Sequence, residues 1–217
     1  MNKKILLLCK VNLNRSKIGE VIFNEQLRRI NLDSICSVSS AGVAEIDSTV
    51  PHFVNSALKR AGYGPVINDR PSVVRTDDLR SADLIFTMSD SIFLESVRPY
   101  KNFPEVQEMV KNKTKLLPEY GLSPSTEGKD EIFDPASRLV SPRDSNSGFY
   151  STLLEKLPST FTEYFVIASS LGRYIPNTAD RKFTKQIDRL YDRTVRQLET
   201  CITTSITKMK KEGFFRK

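Results

Sequence analysis

Lys4-Ile5-Leu6-Leu7-Leu8-Cys9-Lys10-Val11-Asn12-Leu13-Asn14-Arg15-Ser16 is an apolar run that ends on a cysteine and is followed, five residues on, by Arg-Ser. Helical spacing starts directly behind it, with Ile18, Val21, Ile22 and Leu27 on one face. A continuous rather than alternating apolar run suits a strand buried on both faces of a parallel sheet. A short loop from such a strand to a helix N-terminus points backbone N–H groups at an anion, with the helix dipole behind them. The same field favours a thiolate at Cys9 over a thiol. Arg15 can hold two oxygens of a tetrahedral oxyanion at once, which lysine could not do. Ser16 can donate a hydrogen bond to the sulfur and improve it as a leaving group. The competing reading is a buried structural cysteine with an unrelated Arg-Ser nearby. The strand before and the helix after favour the catalytic loop.

Three further apolar runs, Ile35–Ser39, Asp83–Met88 and Thr114–Leu117, read as buried strands of the same sheet. Helical patterns lie between them: Val54, Ala57 and Leu58 follow Pro51, and Ser89-Asp90 offer N-caps for Ile92–Val97. Residues 118–148 are rich in Pro, Ser, Gly and charge and read as loop, with Glu131-Ile132-Phe133-Asp134-Pro135 inside it. From Phe183 to about Met209, Ile187, Tyr191, Val195, Leu198, Ile202 and Met209 recur at helical spacing, with Asn177 or Thr178 as N-cap candidates after Pro176. The expected fold is α/β: a small doubly wound four-stranded parallel sheet flanked by helices, with an additional helical insertion before the last helix. Ligands of such sheets sit at the carboxyl ends of the strands, where Cys9 lies.

At 217 residues, 39% hydrophobic and 27% charged, the chain is expected to form one soluble domain, 1–217. Its three cysteines, Cys9, Cys36 and Cys201, are odd in number and widely spread, so a disulfide framework is not expected and a reducing setting is. The first apolar run is broken at Lys10, too short for a signal peptide, and no later stretch approaches a membrane span. A cytoplasmic location follows as an expectation. The net charge of +7 is uneven: residues 181–217 hold 11 Lys/Arg and 4 Asp/Glu, while the first 180 hold 22 of each sign. A solvated helix face is the plainer account of that basic end, and an acidic partner is the sharper one.

These segments together resemble the low-molecular-weight protein tyrosine phosphatase superfamily, whose loop reads Cys-x-Gly-Asn-x-Cys-Arg-Ser. Asn12, Arg15 and Ser16 match that loop. Ser40-Ala41-Gly42-Val43 resembles the Ser-Ala-Gly-Thr turn ending the family's second strand, and Asp83–Asp90 is similar to its third strand and turn. Asp134-Pro135 fits the late Asp-Pro pair that carries the family's general acid, and the helix from Phe183 resembles its last helix. Val11, Asn14 and Val43 depart from the pattern, although Asn-x-Asn-Arg-Ser also occurs in related phosphatases acting on the C-terminal domain of RNA polymerase II. The aromatics that flank a phosphotyrosine ring are replaced by Ala136-Ser137 on one wall and Ala44-Glu45-Ile46-Asp47 on the other. Residues 138–180 have no counterpart in the usual member. The resemblance therefore supports phosphomonoester chemistry more strongly than tyrosine selectivity.

What the resemblance implies is a cysteine-dependent phosphatase acting on a phosphorylated protein, with Cys9 as nucleophile, Arg15 on the phosphate and Asp134 as acid then base. Lys10, Val11, Asn12, Leu13, Asn14, Arg15 and Ser16 would form the phosphate loop, supported by Asn12, Ser16 and Ser40. Asp130 and Glu131 stand in for Asp134 if the alignment slips. No metal or other cofactor is expected, because the positive loop does the electrostatic work; the single histidine, His52, reads as an ordinary helix-start residue. Two other readings stay open. Arsenate reduction would need resolving thiols, and neither Cys36 nor Cys201 forms a close pair with Cys9 in sequence. A phosphate- or nucleic-acid-binding module would use the basic end but needs neither Cys9 nor Asp134. Within the insertion, Phe149, Tyr150, Phe161, Tyr164, Phe165 and Tyr174 must pack somewhere, either over the site mouth or as extra core or a dimer face.

Overall fold

A computed structural model describes residues 2–121, 132 and 181–216. The insertion at 138–180 and the N-cap candidates Asn177 and Thr178 lie outside them. The elements run β1 (Lys3–Cys9), α1 (Arg15–Arg29), β2 (Cys36–Gly42), α2 (His52–Arg60), α3 (Thr76–Ser81), β3 (Leu84–Thr87), α4 (Asp90–Val97), α5 (Pro104–Lys113), β4 (Thr114–Leu116), α6 (Leu117–Gly121) and α7 (Arg181–Lys211). All strand pairings are parallel, in the order β2-β1-β3-β4. The expected four-stranded α/β sheet is the one observed.

β1 is central, and its side chains divide by the two-residue period of a strand. Ile5, Leu7 and Cys9 enter a core with Ile18, Ile22, Phe23 and Leu27 of α1, and with helices α2 and α7. Leu6 and Leu8 enter the opposite core with Leu79 of α3, Ile92 of α4 and Val110 of α5. The chain leaves β1 to one side for β2 and returns to the other side for β3, so strand order reverses at β1. The crevice at the carboxyl end of such a reversal is where doubly wound sheets bind ligands. Cys9 is the last residue of β1.

Several boundaries move from those read in the sequence. β2 runs on to Gly42 because Gly42 is paired on both sides, with Cys9 in β1 and with Val73 across an isolated parallel bridge. Leu117–Gly121 is helical where loop was expected from 118; Leu117, Pro118 and Gly121 are buried there. An added Cβ at Gly121 would lie 2.2 Å from the Cys201 carbonyl oxygen, so only glycine lets α6 and α7 approach this closely. Helices α3 and α5 were not anticipated, since they bury one and two residues respectively and so carry little apolar periodicity. Ser89 does precede α4 in extended conformation, but its hydroxyl pairs with that of Ser91 at 2.9 Å and caps no backbone N–H.

Candidate active site

The loop after β1 folds back over the end of β2. Val43 N–H donates to the Cys9 carbonyl (3.0 Å) and Ala44 N–H to that of Lys10 (2.8 Å). A Cβ at Gly42 would meet the Val11 carbonyl carbon at 2.8 Å, its Cα at 2.9 Å and the Asn12 nitrogen at 3.0 Å. Those are backbone atoms that cannot rotate away, so the glycine is required by the loop's own path.

Asn12 holds the loop from inside. It is fully buried and sits at φ 55°, the left-handed region that asparagine tolerates better than most residues. Its Oδ1 accepts from the Ser72 backbone N–H at 2.9 Å. That N–H can only donate, so the amide orientation is set and Nδ2 must face the other way. Nδ2 accordingly donates to Ser16 Oγ (2.9 Å) and to Ser40 Oγ (2.8 Å). Each hydroxyl, having accepted, has its own proton left to give. Ser40 donates to the Glu20 carboxylate. Ser16 Oγ lies 2.9 Å from Cys9 Sγ, so its proton points at the sulfur. The Asn12 backbone N–H reaches the same sulfur at 3.3 Å. Two donors thus converge on a cysteine that is 3% exposed.

Arg15 is the first residue of α1 and Asn14 its N-cap position. No side chain caps the helix; Asn14 Oδ1 instead accepts from the Tyr191 hydroxyl of α7 at 3.1 Å. Both Arg15 and Lys17 are buried in the first turn. That turn is the positive end of the helix dipole, where an anion is favoured. Lys10 turns its ammonium away to Glu95 of α4, reaching both carboxylate oxygens at 2.8 and 2.7 Å, and leaves its backbone in the loop.

Of the residues singled out in sequence, Cys9, Asn12, Ser16 and Ser40 are brought into one network, with Arg15 on the turn that follows. Asp134, Asp130 and Glu131 lie outside the described residues. Ile132 is described: it is fully buried, and its N–H donates to the Met88 carbonyl at 2.9 Å. Met88 N–H in turn donates to the Leu8 carbonyl at 3.1 Å, next to Cys9. Cys36 pairs with Lys3, six residues along β1 from Cys9, or about 20 Å at strand rise. Burial pushes the Cys36 and Cys201 thiols up to about 12. Cys36 is thus too distant to serve Cys9 as a resolving thiol, and Cys201 is fully buried in α7. His52 starts α2 and packs on Phe53, ring centroids 3.9 Å apart.

Glu20, Ser72 and Glu95 were not read from the sequence, and Tyr191 was read only as part of the apolar face of the last helix. Ser72, Glu95 and Tyr191 bond their loop partners across 60, 85 and 177 residues, separations at which no local pattern exists. Lys17 was missed as well: a lysine in a first turn reads as solvated until the fold buries it.

A parallel α/β sheet with a donor-braced cysteine at its switch point, opening an uncapped helix, defines the cysteine-loop class of anion-handling folds. The family model for low molecular weight phosphotyrosine protein phosphatase matches residues 4–170, and the chain belongs to that family. The family supports a cysteine-dependent phosphatase. Solved structures share the fold. A protein tyrosine phosphatase from Entamoeba histolytica superposes with TM-score 0.63 at 17% identity, covering 97% of this chain and 99% of that one. A low molecular weight phosphotyrosine phosphatase from Vibrio cholerae gives 0.61 at 19%, covering 98% and 99%. An arginine phosphatase from Geobacillus stearothermophilus gives 0.58 at 18%, covering 99% and 97%. No curated protein matches the chain significantly by sequence. Among the described residues, no helix is long and apolar enough to cross a membrane.

Proposed function

We propose that the chain hydrolyses a phosphomonoester on a phosphorylated protein, phosphotyrosine-like in class, through a cysteinyl-phosphate intermediate. The Cys9 thiolate attacks phosphorus as the bond to the leaving oxygen breaks, and Asp134 gives that oxygen its proton. Water then attacks the phosphocysteine, Asp134 takes its proton, and the S–P bond breaks to return the thiolate. Arg15 and the backbone N–H groups of Lys10 to Ser16 other than that of Asn12, which faces the sulfur, hold the equatorial oxygens, whose charge grows in the transition state. Ser16 donates to the sulfur and eases its departure in the second step, while Asn12 and Ser40 fix the loop that aims it.

The observation that carries this reading is the pair of donors, Ser16 hydroxyl and Asn12 N–H, converging on Cys9 Sγ beside an uncapped helix start. Support for Asp134 comes from Ile132: two residues before the aspartate, the chain is tied to Met88 at the Cys9 end of the sheet. The solved relatives include tyrosine phosphatases and an arginine phosphatase, so the fold accepts more than one phosphorylated side chain.

The test is acid quench of the Asp134→Asn variant during turnover of para-nitrophenyl phosphate, followed by peptide mass spectrometry. A good leaving group spares the first step and the missing base slows the second, so phosphate should accumulate on the Cys9 peptide. Phosphate found on another residue, or on none while product forms, would contradict the mechanism.

A further inference from the structure

We propose that Ser72-Val73-Val74 is a docking edge for the main chain of an extended phosphopeptide carrying a lysine or arginine beside its phosphorylated residue. This rests on the phosphatase reading above and deepens it.

Val73 makes an isolated parallel bridge to Gly42, the last residue of the edge strand β2. The bridge is closed by Gly42 N–H to the Ser72 carbonyl (2.7 Å) and Val74 N–H to the Gly42 carbonyl (2.9 Å). In a parallel bridge, the N–H and C=O of the central residue point the opposite way. Among the described residues nothing bonds either group of Val73, and the residue is 41% exposed. The sheet therefore ends, beside its carboxyl edge, in one donor and one acceptor spaced for another strand.

The edge is welded to the phosphate loop. Ser72 N–H donates to Asn12 Oδ1 at 2.9 Å, and Asn12 N–H contacts the Cys9 sulfur. A chain seated along Val73 thus lies one residue from the side chain that braces the nucleophile. Strand addition of this kind supplies main-chain affinity, with side-chain specificity coming from pockets alongside.

Such a pocket is present. A groove of about 490 Å³ lies against the edge, lined by Glu45, Ile46, Pro71, Val73, Arg75 and Asp78 among others. The lining carries two carboxylates, Glu45 and Asp78, against the one guanidinium of Arg75, a balance that complements a basic side chain, whereas the loop of Cys9 and Arg15 complements phosphate. Among the described residues that line the groove none is an aromatic to clamp a ring, and the recognition proposed here comes from main chain and charge.

The test compares a phosphotyrosyl peptide with flanking arginine, its glutamate-flanked counterpart, and para-nitrophenyl phosphate. Val73→Pro removes the outward N–H and spares the groups that bond Gly42 and Asn12. It should raise KM for the arginine peptide roughly five- to tenfold, the worth of one or two hydrogen bonds, and leave para-nitrophenyl phosphate kinetics unchanged. The wild type should favour the arginine peptide, a preference that shrinks with salt and reverses in Glu45→Lys. If Val73→Pro also disturbs the small substrate, an N-methyl scan of the peptide on the wild type decides instead: one methylated amide, the partner of the Val73 carbonyl, should cost a similar factor. A flat scan, or peptide KM unchanged in Val73→Pro, overturns the docking edge while turnover of para-nitrophenyl phosphate keeps the phosphatase reading. No turnover of any substrate overturns both.

Discussion

Asn12 spends its whole side chain inside the loop, and that concentration makes it a more telling target than the charged residues around it. Replacing it with alanine removes the acceptor of the Ser72 N–H and the donor to Ser16 and Ser40, and puts a residue that disfavours φ 55° into the left-handed region. Together these should cost about 2–4 kcal/mol in urea unfolding. The Ser16 hydroxyl would lose its orientation as well, so kcat should fall further than stability alone explains. Gly42→Ala acts differently. Its Cβ would press on backbone atoms of Val11 and Asn12, and a shift of a few tenths of an ångström in the loop should lower kcat/KM by roughly 100-fold, with a modest change in melting temperature. Unchanged kinetics would show that the loop tolerates the shift. The buried thiols give a pH prediction with a definite sign. Cys36 and Cys201 are raised from 9.0 to about 12 when folded, so the unfolded chain ionises first. Their contribution is fully present below pH 9 and is lost as pH rises towards 12. Denaturation midpoints should fall over that window, and less so in Cys36→Ala/Cys201→Ala.

At the scale of elements, α7 decides most. Ile187, Tyr191, Val195, Leu198, Cys201, Ile202, Ile206 and Met209 are all buried in the core that also holds Cys9. At about 1.5–3 kcal/mol per large apolar side chain, that burial rivals the whole stability of an ordinary domain. Deleting α7 should abolish cooperative melting by circular dichroism; a sharp transition without it would mean the sheet stands alone. The helix also reaches the site, through Tyr191 to Asn14. Tyr191→Phe should cost about 1 kcal/mol and reduce kcat severalfold with KM little changed. The elements that could be read from sequence were those with a buried face: β1 with its unbroken apolar run, α1, and α7 with its long repeat. Helices α3 and α5 escaped because one or two buried side chains make no period, and the end of β2 escaped because Ser40-Ala41-Gly42-Val43 looks like a turn until Cys9 and Val73 pair with Gly42.

For the molecule as a whole, the site was legible where its parts are neighbours in sequence and hidden where the fold supplies them. Cys9, Asn12, Arg15 and Ser16 lie within eight residues and announce a strand-loop-helix; Ser72, Glu95 and Tyr191 join them only through the sheet and α7. Charge follows the same logic. Asp188 and Asp192 of α7 pair with Arg60, while Lys185, Arg189, Arg193 and Arg196 stay exposed at three- and four-residue spacing. Any retention on heparin should belong to this stripe, weaken steeply with salt, and vanish when the three arginines become glutamine; retention that survives would place the basic contact elsewhere. The central claim is that Cys9 carries the chemistry. Its most direct test is the turnover of para-nitrophenyl phosphate in EDTA by the wild type and by Cys9→Ser. The wild type should be undiminished by the chelator and the variant slower by at least about 1,000-fold. A Cys9→Ser protein that keeps wild-type turnover would contradict it.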